Sequence, residues 1–402
     1  VEKNNGGAAV IPAEARARKT VLFVHQGAEL YGSDKVVLNL AVGVRAHGFQ
    51  PIVVLPSEGP LLNCLRDAGV ECHLAPIGKI ARANLSPRGL LRLLGELAAL
   101  YRRTKQLGLQ RRVDLVYSNT IATAGGAVLA FLWRKPNVWH VHEIILRPRL
   151  VAGLFPKLVA LGSNSVISNS KETAEWLNSQ SPSLKHRNEV IWNGIGPTQA
   201  QPAGRVVFRE RWGADAERLV VALVGRINRW KGHSVALAAV AALPEHIRRN
   251  VTLVYVGNVF PGQEDLEREL RQQIEQSGIA DQVLIQPFVN DVDALWEAVD
   301  IALVPSTEPE PFGMVAIEAM RAGKPVVASA HGGLLEIVKD GATGFLVPPS
   351  DPQALAAAIE TLAANPELRR QFGDAGRERQ REVFSLDAQV KATCHHLDLA
   401  MA

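Results

Sequence analysis

The chain has 402 residues, 47% of them hydrophobic and 21% charged, with a formal net charge of +4. That length suits two domains of about 180 residues each, and the composition is that of an ordinary soluble globular protein. Three scattered cysteines, Cys64, Cys72 and Cys394, fit neither a disulfide framework nor a zinc site and point to a reducing compartment. No apolar run reaches the roughly 20 residues that span a bilayer.

Residues 1–18 are rich in Gly, Ala and Asn, lack the apolar core of a signal peptide and read as a disordered leader. From there, strand and helix patterns alternate, as parallel sheets require. Val21–Val24 reads as a strand and Lys35–Ala46 as a helix ended by Gly48, with a second strand at Pro51–Leu55. Between the first strand and that helix lies Gly27-Ala-Glu-Leu-Tyr-Gly-Ser-Asp34, a small-residue loop whose backbone N–H groups could approach an anion at Gly32 and Ser33. A plain βα turn is the alternative.

The net charge is unevenly spread. Between Cys72 and Lys171 fifteen Lys and Arg stand against three acids, Glu96, Asp114 and Glu143. The densest part, Lys79–Arg112, interleaves Arg82, Arg88, Arg92, Arg102, Arg103, Lys105 and Arg111 with Leu90, Leu91, Leu94 and further leucines. A leucine-rich basic helix suits an anionic membrane surface, and a solvated basic face is the alternative. No recognition motif accompanies the charge, so nucleic acid is not expected as a partner.

Short strands follow at Leu115–Tyr117, Val138–Val141, Ser165–Ser168 and Val190–Ile191. The second of these ends in Trp139-His-Val-His-Glu143, which sets His140 and His142 on one strand face. The Gly- and Pro-rich stretch 193–204 is placed as a linker. The domains are therefore expected at 19–196 and 197–380, with 381–402 a terminal helix.

A second cycle of strands opens at Leu219–Val224 and continues through Val251–Val256, Val283–Ile285, Ile301–Val304, Val326–Ala328 and Phe345–Val347. Pro352 onward reads as helical almost to the end. After the opening strand, Arg226 and Lys231 stand five apart on a loop entering a helix, where two fixed cations suit a diphosphate. After Ile301–Val304 comes Glu310-Pro-Phe-Gly-Met-Val-Ala-Ile-Glu318, two carboxylates eight residues apart across a helix start. The carboxyl end of a parallel strand at a helix N-terminus is where open α/β sheets bind ligands and phosphates. Carboxylates suit sugar hydroxyls rather than phosphate. A ligand that is both sugar and phosphate is the chemistry these groups share.

The segment Val304–Ala328 resembles the signature of family-4 glycosyltransferases, retaining enzymes of the GT-B fold, and the resemblance extends over nearly the whole chain in order. It implies an α/β GT-B architecture, two Rossmann-like doubly wound domains facing across a cleft, with the last helix crossing back to the first domain. It implies transfer of a sugar from a UDP- or GDP-sugar to a hydroxyl of a glycan or lipid-linked acceptor, with no cofactor and no metal. Arg226 and Lys231 would bind the donor diphosphate and stabilise the departing nucleotide. Glu310, with backbone N–H groups at Phe312, Gly313 and Met314, would hold the donor sugar, and Glu318 the ribose. Gly257 and Val289 stand in the loops around the base, and His142 would sit beside the donor sugar. The family's usual Gly-Gly is Gly32-Ser33 here. A cytoplasmic protein, peripheral on the inner face of the plasma membrane, is the expected setting. A nucleotide-sugar epimerase or phosphorylase on the same fold, and a non-catalytic binding subunit, are the alternatives.

Overall fold

The computed structural model describes residues 18–80, 86–147, 149–198, 203–215 and 217–402. The leader up to residue 17, Arg82 of the basic stretch and part of the linker lie outside the described residues. Two parallel sheets carry the fold. The first holds β1 (Lys19–His25), β2 (Phe49–Leu55), β3 (Glu71–Leu74), β4 (Leu115–Asn119), β5 (Asn137–Val141), β6 (Ser165–Ser168) and β7 (Asn188–Val190), in the order β3-β2-β1-β4-β5-β6-β7. The second holds β8 (Leu219–Val224), β9 (Val251–Val256), β10 (Val283–Gln286), β11 (Ile301–Val304), β12 (Val326–Ser329) and β13 (Gly344–Val347), in the order β10-β9-β8-β11-β12-β13. Each order reverses once, beside β1 and beside β8. Such a switch point opens a crevice at the carboxyl ends of the strands.

The strands of the second sheet and β1 and β2 of the first are largely apolar because both faces are covered. In the second sheet alternate residues feed two cores. Val220, Ala222, Val254 and Val256 join Trp296, Ile317 and Met320 on one side. Val221, Leu223, Leu253 and Tyr255 join Leu237, Val240 and Ile359 on the other. Pairing Leu219 with Val251 and Val224 with Val256 fixes the register that sorts them.

The expected strands all form, most with slightly different ends, and β3 is an addition. Its sequence, Glu-Cys-His-Leu, alternates weakly and is half-buried at the sheet edge. The helix expected at Lys35–Ala46 runs Gly32–Gly43 and tightens into a 3-10 turn at Val44–His47, closed by Gly48 at a φ of 85°. The basic stretch forms two helices, Pro87–Gln106 and Leu109–Arg112, separated by Gly108 at a φ of 69°. Among the described residues no helix is long and apolar enough to cross a membrane.

By internal packing the chain parts into two compact units. One runs to Val138 and includes Gly162–Asn164 and Cys394–Ala402; the other comprises Trp139–Leu161 and Ser165–Thr393. Within the first, Lys19 Nζ meets Asp398 Oδ1 at 2.6 Å, tying the end of the last helix, Leu386–Met401, to β1. Within the second, Ile195 N donates to Phe384 O and Leu386 N donates to Ile195 O, both at 3.0 Å, so the chain beyond β7 packs on the start of that helix.

Candidate functional site

The loop after β8 is shaped by its own side chains. Asn228 Oδ1 accepts from Trp230 N at 3.2 Å and Lys231 N at 2.9 Å, an Asx turn that reverses the chain. Gly232 follows at a φ of 79°, with Pro305 O only 1.9 Å from where a Cβ would stand, so this position admits no side chain. Thr307 N donates to Trp230 O at 2.7 Å, fastening this loop to the one after β11.

That fastening brings Lys231 to Glu310. Lys231 Nζ lies 2.5 Å from Glu310 Oε1, which also accepts from Ser306 Oγ at 2.8 Å. The Glu310 carboxylate is 5% exposed and the Lys231 side chain 18%. Glu310 stands on the loop, and the helix begins only at Met314, so the eight-residue spacing to Glu318 is part loop and part helix. The loop His331-Gly-Gly333 supports Glu310 from below. Gly333 N donates to Glu310 O at 2.8 Å, His331 Nε2 bonds Ser306 O at 2.8 Å, and a Cβ on Gly332 would stand 2.4 Å from Glu310 O.

Glu318 is buried on the Met314–Arg321 helix. The Phe312 side chain faces the core and meets Phe384 edge-on at 5.9 Å, which leaves its backbone for any ligand. Gly313, the N-cap at a φ of 118°, and Met314 open the helix, whose first N–H groups favour an anion. Gly257 abuts the loop after β8, since a Cβ there would lie 2.1 Å from Gly225 O. Val289, on the loop after β10, is partly buried against the core beneath. Phe288 N, beside it, donates to Asn258 Oδ1 at 3.1 Å.

Arg226 Cζ lies over the Phe260 ring, 3.7 Å from its centroid, and Lys231 Nζ lies 4.4 Å from the Trp230 ring centroid. Phe260, Asn258, Trp230 and Ser306 carry no signal in the sequence. A loop aromatic reads like any other until the neighbouring loop arrives. Asp291 and Asp293 have the Asp-x-Asp spacing of a metal-binding pair, but Asp291 caps the Val292–Ala298 helix and Asp293 is paired with Arg321.

His142 is buried beyond β5, its ring 3.9 Å from that of His140. Its carbonyl accepts from Asn169 Nδ2 at 3.5 Å. In the other unit, Gly32 and Ser33 open the Gly32–Gly43 helix. The loop before them is pinned by Asp34, whose Oδ2 accepts from Tyr31 N at 3.0 Å and whose Oδ1 meets His25 Nε2 at 2.7 Å. His25 Nδ1 in turn bonds Asn119 Nδ2 at 2.9 Å. The second unit thus unites Arg226, Lys231, Gly257, Glu310 and Gly313 through adjoining loops, while Gly32 and Ser33 belong to the first.

Comparison with known proteins agrees with this architecture. Residues 31–199 match the glycosyltransferase family 4 model, and residues 205–379 the model of glycosyl transferases group 1. The chain is 32% identical over 307 residues to a D-inositol 3-phosphate glycosyltransferase of Streptomyces avermitilis, covering 72% of this chain and 66% of that one. It is 30% identical over 292 residues to an uncharacterised glycosyltransferase of Methanocaldococcus jannaschii, covering 69% and 72%. The structure of Anabaena HepE in complex with UDP and glucose superposes with a TM-score of 0.81 at 27% identity, covering 94% of this chain and 99% of that one. The lipopolysaccharide glycosyltransferase WaaG, at 19% identity and a TM-score of 0.69, shares the fold. The chain belongs to the family-4 glycosyltransferases of GT-B fold.

Proposed function

We propose that this family-4 enzyme is a retaining glycosyltransferase that moves a sugar from a nucleotide diphosphate donor to a hydroxyl of a glycan or lipid-linked acceptor, without a metal. The observation that carries the reading is the Lys231–Glu310 pair, with its carboxylate buried, between the loops after β8 and β11. A carboxylate that accepts several hydrogen bonds, set beside a fixed ammonium, matches a sugar hydroxyl next to a phosphate.

In this reading Arg226 and Lys231 take up negative charge as the sugar–phosphate bond breaks, which is stabilisation where charge develops. Glu310 and the N–H groups at the start of the Met314–Arg321 helix hold the sugar. Glu318 accepts from the ribose hydroxyls, and Gly257 and Val289 border the base. His142 bonds a sugar hydroxyl, and Gly32 and Ser33 offer N–H groups to a phosphate. The leaving phosphate helps to deprotonate the acceptor hydroxyl. Between UDP and GDP, the UDP bound by HepE favours uridine.

The Pro87–Gln106 helix supports a peripheral seat on the inner face of the plasma membrane. Leu90, Leu91 and Leu94 are 52%, 70% and 54% exposed, and Arg88, Arg92, Arg102, Arg103 and Lys105 are exposed beside them along the same helix. The decisive experiment is a donor screen by mass spectrometry with released nucleotide as readout, followed by NMR of the product's anomeric centre. Retention with nucleotide release supports the proposal. Inversion overturns the retaining mechanism, and nucleotide release that no acceptor accelerates overturns transfer.

A further inference from the structure

The loop after β9 is more than a neighbour of the donor residues. Gly257 approaches Gly225 to backbone contact, Ile227 N donates to Asn258 O at 3.1 Å, and Asn258 Oδ1 accepts from Phe288 N at 3.1 Å. One residue therefore ties the loop after β8 to the loop after β10. Two positions further on, Phe260 lays its ring against Arg226 at 3.7 Å while remaining 44% exposed. An aromatic ring so open to water is not a core residue. With Arg226 Cζ over the ring at 3.7 Å, van der Waals contact brings the guanidinium to the ring by its face rather than by its N–H edge.

We infer that Phe260 is the positioning residue for Arg226: it holds the guanidinium by one face, so that the edge N–H groups are presented in a fixed plane to the donor diphosphate. A guanidinium has five donors in a rigid planar fork, and a ring stacked on its face occupies none of them. The ring quadrupole favours the cation and narrows the rotamers of a long side chain on a loop. The charge is thus placed before the diphosphate arrives rather than ordered by it, which lowers the cost of binding. The inference rests on the proposed donor reading, in which Arg226 meets the diphosphate.

Titration of UDP, and of GDP in parallel, into wild-type protein, Phe260→Ala, Phe260→Trp, Arg226→Ala and the Phe260→Ala/Arg226→Ala double variant tests it by calorimetry. A cation–π contact at a partly exposed site corresponds to about 3- to 30-fold in affinity. Phe260→Ala should lose about that much with an unchanged melting temperature, and Phe260→Trp should bind like wild type. In the Arg226→Ala background the Phe260→Ala change should add less than about twofold, because coupled residues fail to add. If Phe260→Ala binds normally, or loses as much without Arg226 as with it, the positioning role is wrong while the donor reading stands. If wild type binds neither nucleotide, or Arg226→Ala binds like wild type, the assigned diphosphate role fails and the inference with it.

Discussion

Lys231 and Glu310, on loops that follow β8 and β11, meet at 2.5 Å with the carboxylate 5% exposed. Each desolvates the other, and Ser306 Oγ and the Gly332-Gly333 turn complete the seat of Glu310. A pair at this depth is costly to hold and costlier to break, because removing one member strands the other charge. The strand order places both loops beside the switch point of the second sheet, so the pair stands where a ligand would enter.

Lys231→Ala should therefore cut turnover by about a hundredfold or more, since loss of one charge-stabilising donor typically costs about 3–4 kcal/mol of barrier. It should also lower the melting temperature by stranding Glu310. The double variant Lys231→Ala/Glu310→Gln should recover stability without recovering activity. Steady-state rates and thermal melts separate the two effects, and a fully active, fully stable Lys231→Ala would remove the residue from the site.

Glu310→Gln should mainly lower turnover, whereas Glu318→Gln should weaken nucleotide binding. Glu310 stands on the loop before the helix, at the end where N–H groups favour an anion, and Glu318 lies on the helix itself. A charged hydrogen bond to a hydroxyl contributes about 1.5–3 kcal/mol, so either loss is measurable. Calorimetry with UDP and GDP on both variants checks the split; the opposite pattern would reverse the two roles.

Activity should persist in excess EDTA. In the proposed reading Arg226 and Lys231 supply the positive charge; Asp293 is consumed by Arg321, and Asp291 by the helix it caps. Loss of activity in chelator, restored by magnesium or manganese, would show that a cation shares the diphosphate.

The sheets were legible in the sequence because buried parallel strands are unbroken apolar runs, as at Leu219–Val224 and Val251–Val256. Glu71–Leu74 was not, because an edge strand of mixed residues becomes a strand only when β2 offers it a partner. Arg226, Lys231 and the two glutamates stood out by spacing. Their supports did not. Asn258 acts across 31 positions to Ile227 and 30 to Phe288, Phe260 across 34 and Ser306 across 4, and the long distances close only when the βα loops stack. The Phe312 side chain serves the core, a role that its place in the motif, read for its backbone N–H, does not reveal.

His233 supplies a test of pH dependence. It begins the helix His233–Ala241, is 4% exposed, and its ring nitrogens have no partner among the described residues. Burial, with the Lys231 charge adding to it, pulls its pKa down to about 4. The unfolded chain takes up this proton near pH 6.5 and the folded protein only near 4, so between them the unfolded state binds more protons. Stability from this residue is thus full above about pH 6.5 and falls as the pH drops toward 4, by about 3 kcal/mol at most. Urea unfolding of wild type and His233→Phe at pH 7.5, 5.5 and 4.5 should show a smaller acid loss in the variant. Parallel losses would mean that other groups set the acid limit.

Anionic vesicles should capture the protein through the Pro87–Gln106 helix, weakly at high salt. The roles along its surroundings are unequal. Arg112 is held by Glu71 through two hydrogen bonds and Arg92 pairs with Glu96, so both are partly spent. Arg88, Arg102, Arg103 and Lys105 are exposed, and each basic residue near such a surface contributes about 1 kcal/mol, screened by salt. Replacing those four with Gln should release the protein from phosphatidylserine vesicles, while Arg112→Gln should matter less. Leu90→Ser, Leu91→Ser and Leu94→Ser together should also release it, because exposed apolar side chains supply the insertion that charge alone does not. Nucleotide affinity should be unchanged in every variant, since none touches Lys231 or Glu310. Flotation in a sucrose gradient reads the result. No capture by anionic lipid would leave the helix a solvated face, and equal capture by neutral lipid would show that its basic residues play no part in binding.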